Sequence, residues 1–261
     1  MCALTGNPKP LISVIVPVLN MARTITRTLD SLVAQKYPNV EIIVIDGQSN
    51  DGTEERIQPF SNQLAQLVSE PDAGLYDAVN KGLALATGDI IGILNGDDYY
   101  THPRVLDLYA DKFEDQGTGI VFGDLEFFPP SNPERTIRTY SSDKFTKEKL
   151  RFGWMPPHPT TFIRRSVYDA VGEYRTDYRI SSDFEFLIRA LWSHSVQFDR
   201  IDSVVVRMQY GGLSTKGVVA TYHLNKEIIR ACRSNGLKTG WPTIMLKFPV
   251  KLLEFAPALR H

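Results

Sequence analysis

Residues 88–100 read Gly-Asp-Ile-Ile-Gly-Ile-Leu-Asn-Gly-Asp-Asp-Tyr-Tyr. The apolar run 90–94 stops abruptly at Asn95-Gly96-Asp97-Asp98, so a buried strand delivers an acidic cluster to its C-terminal end. Open α/β sheets bind ligands beyond that end of their strands. Two adjacent carboxylates beside a glycine and an amide suit a hard divalent cation, because oxygen ligands must converge and the backbone must turn tightly to let them. The same residue types also build an ordinary solvated turn. This stretch alone does not separate the two readings.

Working back towards the N-terminus, three more strands lead to it. Residues 11–16 form a β-branched run that Pro17 is expected to stop, followed by Asn20 in a loop. Thr24 is placed as the cap of a helix whose apolar positions are Ile25, Leu29, Leu32 and Val33. Residues 40–45 make a second strand ending at Asp46, which opens the turn-rich loop Gly47-Gln48-Ser49-Asn50-Asp51-Gly52-Thr53. A short helix over 53–57, a strand over 64–69 and the loop Glu70-Pro71-Asp72-Ala73-Gly74 come next. Leu75, Val79, Leu83 and Ala86 then form one helical stripe, with Asn80 and Lys81 beside it, closed by Thr87-Gly88. Four strands alternating with three helices predict an α/β fold, a Rossmann-like, mostly parallel sheet with helices on both faces. Asn20, Asp46, Asp72 and Asp97 follow successive strands and are expected on one rim.

Downstream, a helix is predicted over 103–116. From Gly119 the character changes to strands over 120–128 and 135–140 joined by a proline-rich loop. A short helix over 145–152 leads to Trp154, Met155 and a lone His158 between prolines; strands over 160–163 and 204–208 flank a helix capped by Ser181 or Ser182. The expected division is a nucleotide-binding half over about 10–118, an acceptor half over about 119–216, and a helical extension over 217–261.

Charge and cysteine usage narrow the class. Lys plus Arg number 29 against 30 Asp plus Glu, a net charge of −1, so no overall field favours nucleic acid. The two cysteines, Cys2 and Cys232, do not make a disulfide framework and fit a reducing compartment, with the cytoplasm as the expected location. Residues 1–10 lack the features of a signal peptide, and no segment offers the roughly 18 apolar residues of a membrane span. Near the C-terminus Trp241, Ile244, Met245, Phe248, Leu252 and Phe255 recur at helical spacing beside Lys247 and Lys251. That pattern fits either a helix docked on the catalytic domain or a peripheral membrane contact through 241–255 on the inner face.

With these pieces placed, the chain resembles the inverting family 2 glycosyltransferases of GT-A fold. The match is carried by residues 13–20 (Ser-Val-Ile-Val-Pro-Val-Leu-Asn), 41–53 (Glu-Ile-Ile-Val-Ile-Asp-Gly-Gln-Ser-Asn-Asp-Gly-Thr), 78–82 (Ala-Val-Asn-Lys-Gly) and 94–98 (Leu-Asn-Gly-Asp-Asp). The motifs span roughly residues 10 to 210 in the family's order, which is far more specific than one short pattern.

The resemblance implies a nucleotide-sugar donor, UDP-linked in the usual case. Pro17, Val18 and Asn20 would line the nucleotide cleft and Asp46 would accept a hydrogen bond from the base; the alternative for Asp46 is a cap on its own loop. Asp97 matches the last aspartate of the metal-binding Asp-x-Asp motif for Mg2+ or Mn2+, with Asp98 as an assisting ligand or a turn cap. Asn95 stands where the motif's first aspartate is found and would reach a ribose hydroxyl, beside Gly96. Asn80 and Lys81 fall near the phosphates. Asp183 matches the general base that takes the acceptor's proton, with Glu185 as its local competitor.

Four departures stand out: Met21 replaces a frequent acid, Val79 a frequent arginine, Asn95 the first aspartate, and Ser182 an acid before the base. The implied reaction is single-sugar, non-processive transfer to a saccharide or lipid-linked acceptor in cell-envelope or exopolysaccharide synthesis. The alternatives are a sugar nucleotidyltransferase, for which the start offers no glycine- and basic-rich triphosphate loop, and a catalytically silent nucleotide-sugar-binding protein.

Overall fold

The computed structural model describes residues 9–211 and 217–246. Its strands are β1 (Ile12–Val18), β2 (Val40–Asp46), β3 (Gln66–Ser69), β4 (Ile90–Ile93), β5 (Tyr99–Tyr100), β6 (Thr118–Phe128), β7 (Arg138–Tyr140), β8 (Phe162–Arg164) and β9 (Gln197–Gln209). The α-helices are α1 (Ile25–Val33), α2 (Thr53–Ile57), α3 (Leu75–Leu85), α4 (Val105–Lys112), α5 (Arg165–Val171), α6 (Ser182–Ile188), α7 (Gly217–Ser234) and α8 (Trp241–Met245).

All nine strands form one sheet in the order β3-β2-β1-β4-β8-β6-β9-β5, with β7 paired to β6. The first four are mutually parallel, β8 runs antiparallel to both neighbours, and β6 and β9 are parallel. Alternate residues face opposite layers: Ile15 joins one apolar cluster, while Val14 and Val16 join the other. Burial on both faces is why these strands read as continuous apolar runs. The sheet passes through residue 119 unbroken, so strands from both sides of the expected seam share one framework.

Pro17 does not stop the first strand; it sits inside β1, opposite Ile45. β4 pairs with β1 only as far as Ile15, so at Pro17 the strand has a single neighbour and a missing N–H is tolerated. β9 starts seven residues before the predicted 204, at Gln197. Its first half is largely polar and only partly buried, and pairing with β6 rather than apolar alternation makes it a strand. The helical region from 217 is not pendant, since Ile228, Ile229, Ala231 and Cys232 of α7 and Ile244 of α8 enter the core. Among the described residues no helix is long and apolar enough to cross a membrane. The expected stripe continues from Trp241, Ile244 and Met245 into Phe248, Leu252 and Phe255, which lie outside the described residues.

Candidate active site

The C-terminal ends of β1, β2 and β3 align, with Val18 opposite Asp46 and Asp46 opposite Ser69. The loops beyond them are laced together. Three successive N–H groups, of Asn20, Met21 and Ala22, donate to the side chains of Ser49 (2.8 Å), Thr53 (2.7 Å) and Asp51 (3.1 Å), and the Asn50 N–H donates back to Asn20 Oδ1 at 3.0 Å. Asn20 adopts φ 55°, a left-handed conformation that asparagine accepts more readily than most residues. The Ser49-to-Thr53 motif is thus the clamp that shapes the 20–22 turn. Above it opens a cleft of about 500 Å³ lined by Asn20, Met21, Ala22, Arg23, Thr24, Asp51, Asp97 and Gln209.

The acidic loop after β4 is held by the polar face of α1. Thr24 Oγ1 donates to the Gly96 carbonyl (2.8 Å), Arg27 Nη2 to that of Asp97 (3.4 Å) and Thr28 Oγ1 to that of Asp98 (2.7 Å). Thr24, predicted as a helix cap, makes no cap bond because its hydroxyl is turned to this loop. Arg27 is itself fixed between the rings of Tyr99 and Phe128, 4.8 and 4.7 Å from their centroids. A Cβ on Gly96 would lie 2.7 Å from Val18 Cγ1, so only glycine lets the loop lie this close to β1.

Asp97 faces the cleft, partly buried, while Asp98 is fully buried beneath the loop. Burial raises the Asp97 carboxyl above its ordinary range, partly offset by the nearby Arg27. Burial and the Asp97 charge push Asp98 well above that range, against the hydrogen bond from Asn95 and the nearby backbone N–H of Gln209. Asp98 Oδ1 is buried with no hydrogen-bond partner. These features fit a divalent cation: hard oxygen donors, an orphaned carboxylate oxygen, and a repulsion that a cation relieves. No group of three acidic, histidine or cysteine residues placed to hold a metal ion by itself is found among the described residues. A metal here would therefore complete its shell with phosphate oxygens and water, as Mg2+ does in phosphate-bound sites.

Most of the other expected ligand-binding side chains have protein partners. Asp46 is 2% exposed and accepts from Ser49 N–H, Ser49 Oγ (2.5 Å) and Ser69 Oγ (2.7 Å), so its carboxylate holds its own loop. Asn80 clamps the backbone of Tyr174, donating to its carbonyl at 2.8 Å and accepting from its N–H at 3.1 Å. Lys81 is paired with Glu70 at 2.9 Å and Asp77 at 3.5 Å and donates to the Pro71 carbonyl. Asn95 Nδ2 points to Asp98 Oδ2 at 3.0 Å. Pro17 and Val18 are buried wall. Of the predicted donor-site residues, Asn20 and Asp97 line the cleft. Arg23 and Gln209 do so without having been singled out: Arg23 is exposed with no ion-pair partner among the described residues, and Gln209 arrives from the far end of the chain's order of strands, as the last residue of β9.

Asp183 lies in the first turn of α6, and its side chain is held from α3: Tyr76 Oη is 3.1 Å from Asp183 Oδ1, which also accepts the Phe184 N–H at 2.7 Å. Oδ2 has no hydrogen-bond partner among the described residues. The preceding backbone is braced by Glu227 of α7, whose carboxylate accepts the N–H groups of Arg179, Ile180 and Ser181, each at 2.9 Å. Neither Ser181 nor Ser182 makes the expected cap, since both hydroxyls lack a partner; the Glu227 carboxylate instead holds the turn that leads into α6. Glu185, the expected competitor, is 1% exposed, and both its carboxylate oxygens accept from the one Nε–H of Arg189, at 2.9 and 3.0 Å. His158 Nε2 lies 3.1 Å from Tyr174 Oη. Burial lowers its pKa against the opposing Asp183 charge, so it is held neutral. Trp154 stacks on Tyr140, whose hydroxyl fixes the Met155 carbonyl at 2.8 Å.

Solved structures share this architecture. Staphylococcus aureus TarS 1-349 in complex with UDP-GlcNAc superposes with a TM-score of 0.65 at 20% identity, over 87% of this chain and 68% of that one. The mannosyltransferase PcManGT from Pyrobaculum calidifontis in complex with GDP-Man and Mn2+ gives 0.59 at 17% identity, over 95% and 81%. This chain spans 40% of the longer TarS chain. The fold is that of the GT-A glycosyltransferases. In sequence, the PGL/p-HBAD biosynthesis glycosyltransferase of Mycobacterium bovis BCG is 30% identical over 211 residues, 78% of this chain and 79% of that protein. Glycosyltransferase AglE of Haloferax volcanii is 30% identical over 190 residues, 69% and 61% respectively. The model of glycosyl transferase family 2 matches residues 13–172, and the chain belongs to that family; it is a glycosyltransferase.

Proposed function

We propose that this glycosyltransferase inverts the anomeric centre, moving one sugar from a nucleotide-sugar donor, UDP-linked, to a saccharide or lipid-linked acceptor. The observation that carries the reading is Asp183. One of its oxygens is held by two hydrogen bonds and the other has no hydrogen-bond partner among the described residues, beside the first turn of α3, the helix that follows the loop after β3. Asp183 Oδ2 takes the proton of the acceptor hydroxyl as that oxygen bonds to the anomeric carbon and the sugar–phosphate bond breaks. On the donor side Asp97, backed by Asp98, would hold Mg2+ or Mn2+, which when bound neutralises charge on the departing diphosphate. Arg23 adds a permanent positive charge to the same cleft, and Asp46 and Asn20 shape the loops against which the nucleotide lies. Asn80 and Lys81 act at one remove, by holding Tyr174 and the 70–77 loop.

A cell-envelope or exopolysaccharide role draws on the relative in PGL/p-HBAD biosynthesis. Exposed Trp241 and Met245 support peripheral docking on the inner face of the membrane, where a lipid-linked acceptor would be met. Family membership sets the nucleotidyltransferase alternative aside. The silent-binder alternative is separated by experiment: UDP- and GDP-sugars are screened for Mn2+-dependent nucleotide release, then Asp183→Asn is compared. Loss of a general base lowers turnover by about 10²-fold or more with donor affinity kept. Full activity in Asp183→Asn refutes the base assignment, and donor binding without turnover of any nucleotide sugar favours the silent binder.

A further inference from the structure

Tyr76 sits in the first turn of α3, 6% exposed. Its hydroxyl has two acceptors within reach, the Ile180 carbonyl at 2.7 Å and Asp183 Oδ1 at 3.1 Å. A phenol carries one proton and cannot donate fully to both. An ionised carboxylate is the stronger acceptor; once it carries a proton, the shorter contact to the carbonyl prevails.

We propose that Tyr76 is a positioning residue for the general base, donating to Oδ1 while Asp183 is ionised and turning its proton to the Ile180 carbonyl once Asp183 has taken the acceptor's proton. The Tyr76 proton stays on its oxygen throughout; the proton moved in the reaction goes from the acceptor hydroxyl to Asp183 Oδ2 and then to solvent. This inference rests on the base assignment made above.

The surroundings suit a two-position donor. Both acceptors are held in place: the Ile180 carbonyl through the Ser181 N–H of the same planar peptide unit, which donates to Glu227, and Oδ1 by the Phe184 N–H. The Tyr76 ring stacks on Tyr174 at 5.9 Å and 21°. Tyr174 is in turn tied through its hydroxyl to His158 at 3.1 Å and Tyr168 at 3.3 Å. The ring is thereby fixed, and hydroxyl rotation is the freedom left to it. Burial and the Asp183 charge push the Tyr76 hydroxyl well above its ordinary pKa, so it remains a donor.

The test uses the full chain and whichever nucleotide sugar it turns over, with the acceptor or water as co-substrate. In Tyr76→Phe, kcat is expected to fall about tenfold with donor KM unchanged. The acid limb of the kcat–pH profile is expected to move up by about one unit, because a hydrogen bond favouring the charged base is gone. A merely structural role would not shift that limb. Placing 3-fluorotyrosine at position 76 makes the phenol a stronger donor with almost no change of shape, and should move the limb the other way. In the Asp183→Asn background, Tyr76→Phe should cost nothing further. If Asp183→Asn abolishes turnover while both Tyr76 variants keep the wild-type rate and profile, the positioning role is overturned and the base stands. If Asp183→Asn retains turnover, or no nucleotide sugar is turned over, the base reading falls and this inference with it.

Discussion

Thr28→Val isolates the contact by which α1 holds the acidic loop. Thr28 is 0% exposed, and its hydroxyl is the one described donor to the Asp98 carbonyl, at 2.7 Å. Valine has nearly the same shape, so packing is kept and only the hydroxyl is lost. A buried carbonyl left without a partner costs about 1–3 kcal/mol, and urea unfolding with an unchanged slope should show a loss of that size. The loop keeps two of its three carbonyl anchors, from Thr24 and Arg27. Asp97 then drifts rather than detaches. Misplacement by about 1 Å can cost about 10²-fold in rate, and with partial anchoring we expect kcat/KM for the donor to fall about tenfold. Thr28→Ser keeps the donor and should recover most of that activity. A Thr28→Val protein within about 0.5 kcal/mol of wild type, with unchanged Mn2+ dependence, would refute the view that α1 positions the metal-side carboxylate.

Asn95→Asp replaces the amide that donates to Asp98 with a second carboxylate at hydrogen-bonding distance. The metal-free protein should melt lower at neutral pH, and Mn2+ should raise its melting temperature by more than in wild type; equal increments would count against a cation at this loop. Arg23→Gln should weaken UDP or GDP binding about tenfold in calorimetry while leaving uridine or guanosine binding unchanged, since only the diphosphate carries the charge it would meet; equal losses for nucleoside and nucleotide would remove Arg23 from the phosphate site. His158 has a folded-state pKa below its ordinary value, so below about pH 6.5 the unfolded chain binds the proton first and stability falls with pH, by at most about 1.4 kcal/mol per unit from this residue. His158→Gln should flatten that slope between pH 7 and the folded-state pKa, as read from unfolding midpoints across pH. An unchanged slope would show that His158 is not held neutral.

The sequence by itself determined the parallel half of the fold and the rim on which its loops gather. Strands buried on both faces must be apolar at every position, and the loops between them must carry turn residues, so β1 to β4 and the residues following them stand out along the chain. The same pattern marks Asp97 as an acid at a strand's end, and the family resemblance marks Asp183 at a helix start. It does not say which polar side chains reach a ligand and which hold another part of the protein. Asp46, Asn80, Lys81 and Asn95 have the expected positions, yet their polar atoms meet Ser49 and Ser69, the Tyr174 backbone, Glu70, and Asp98. Conversely, Thr24 reads as a helix cap and Thr28 as an ordinary helix residue until the loop after β4, some 70 positions away, folds against them. Tyr76 and Glu227 are of the same kind, set beside the Asp183 turn from elements more than 40 residues distant. Apolar periodicity is a local property and survives in a single sequence. The partner of a hydrogen-bonding group is chosen by what the tertiary structure brings within 3 Å of it, and only the folded chain decides that.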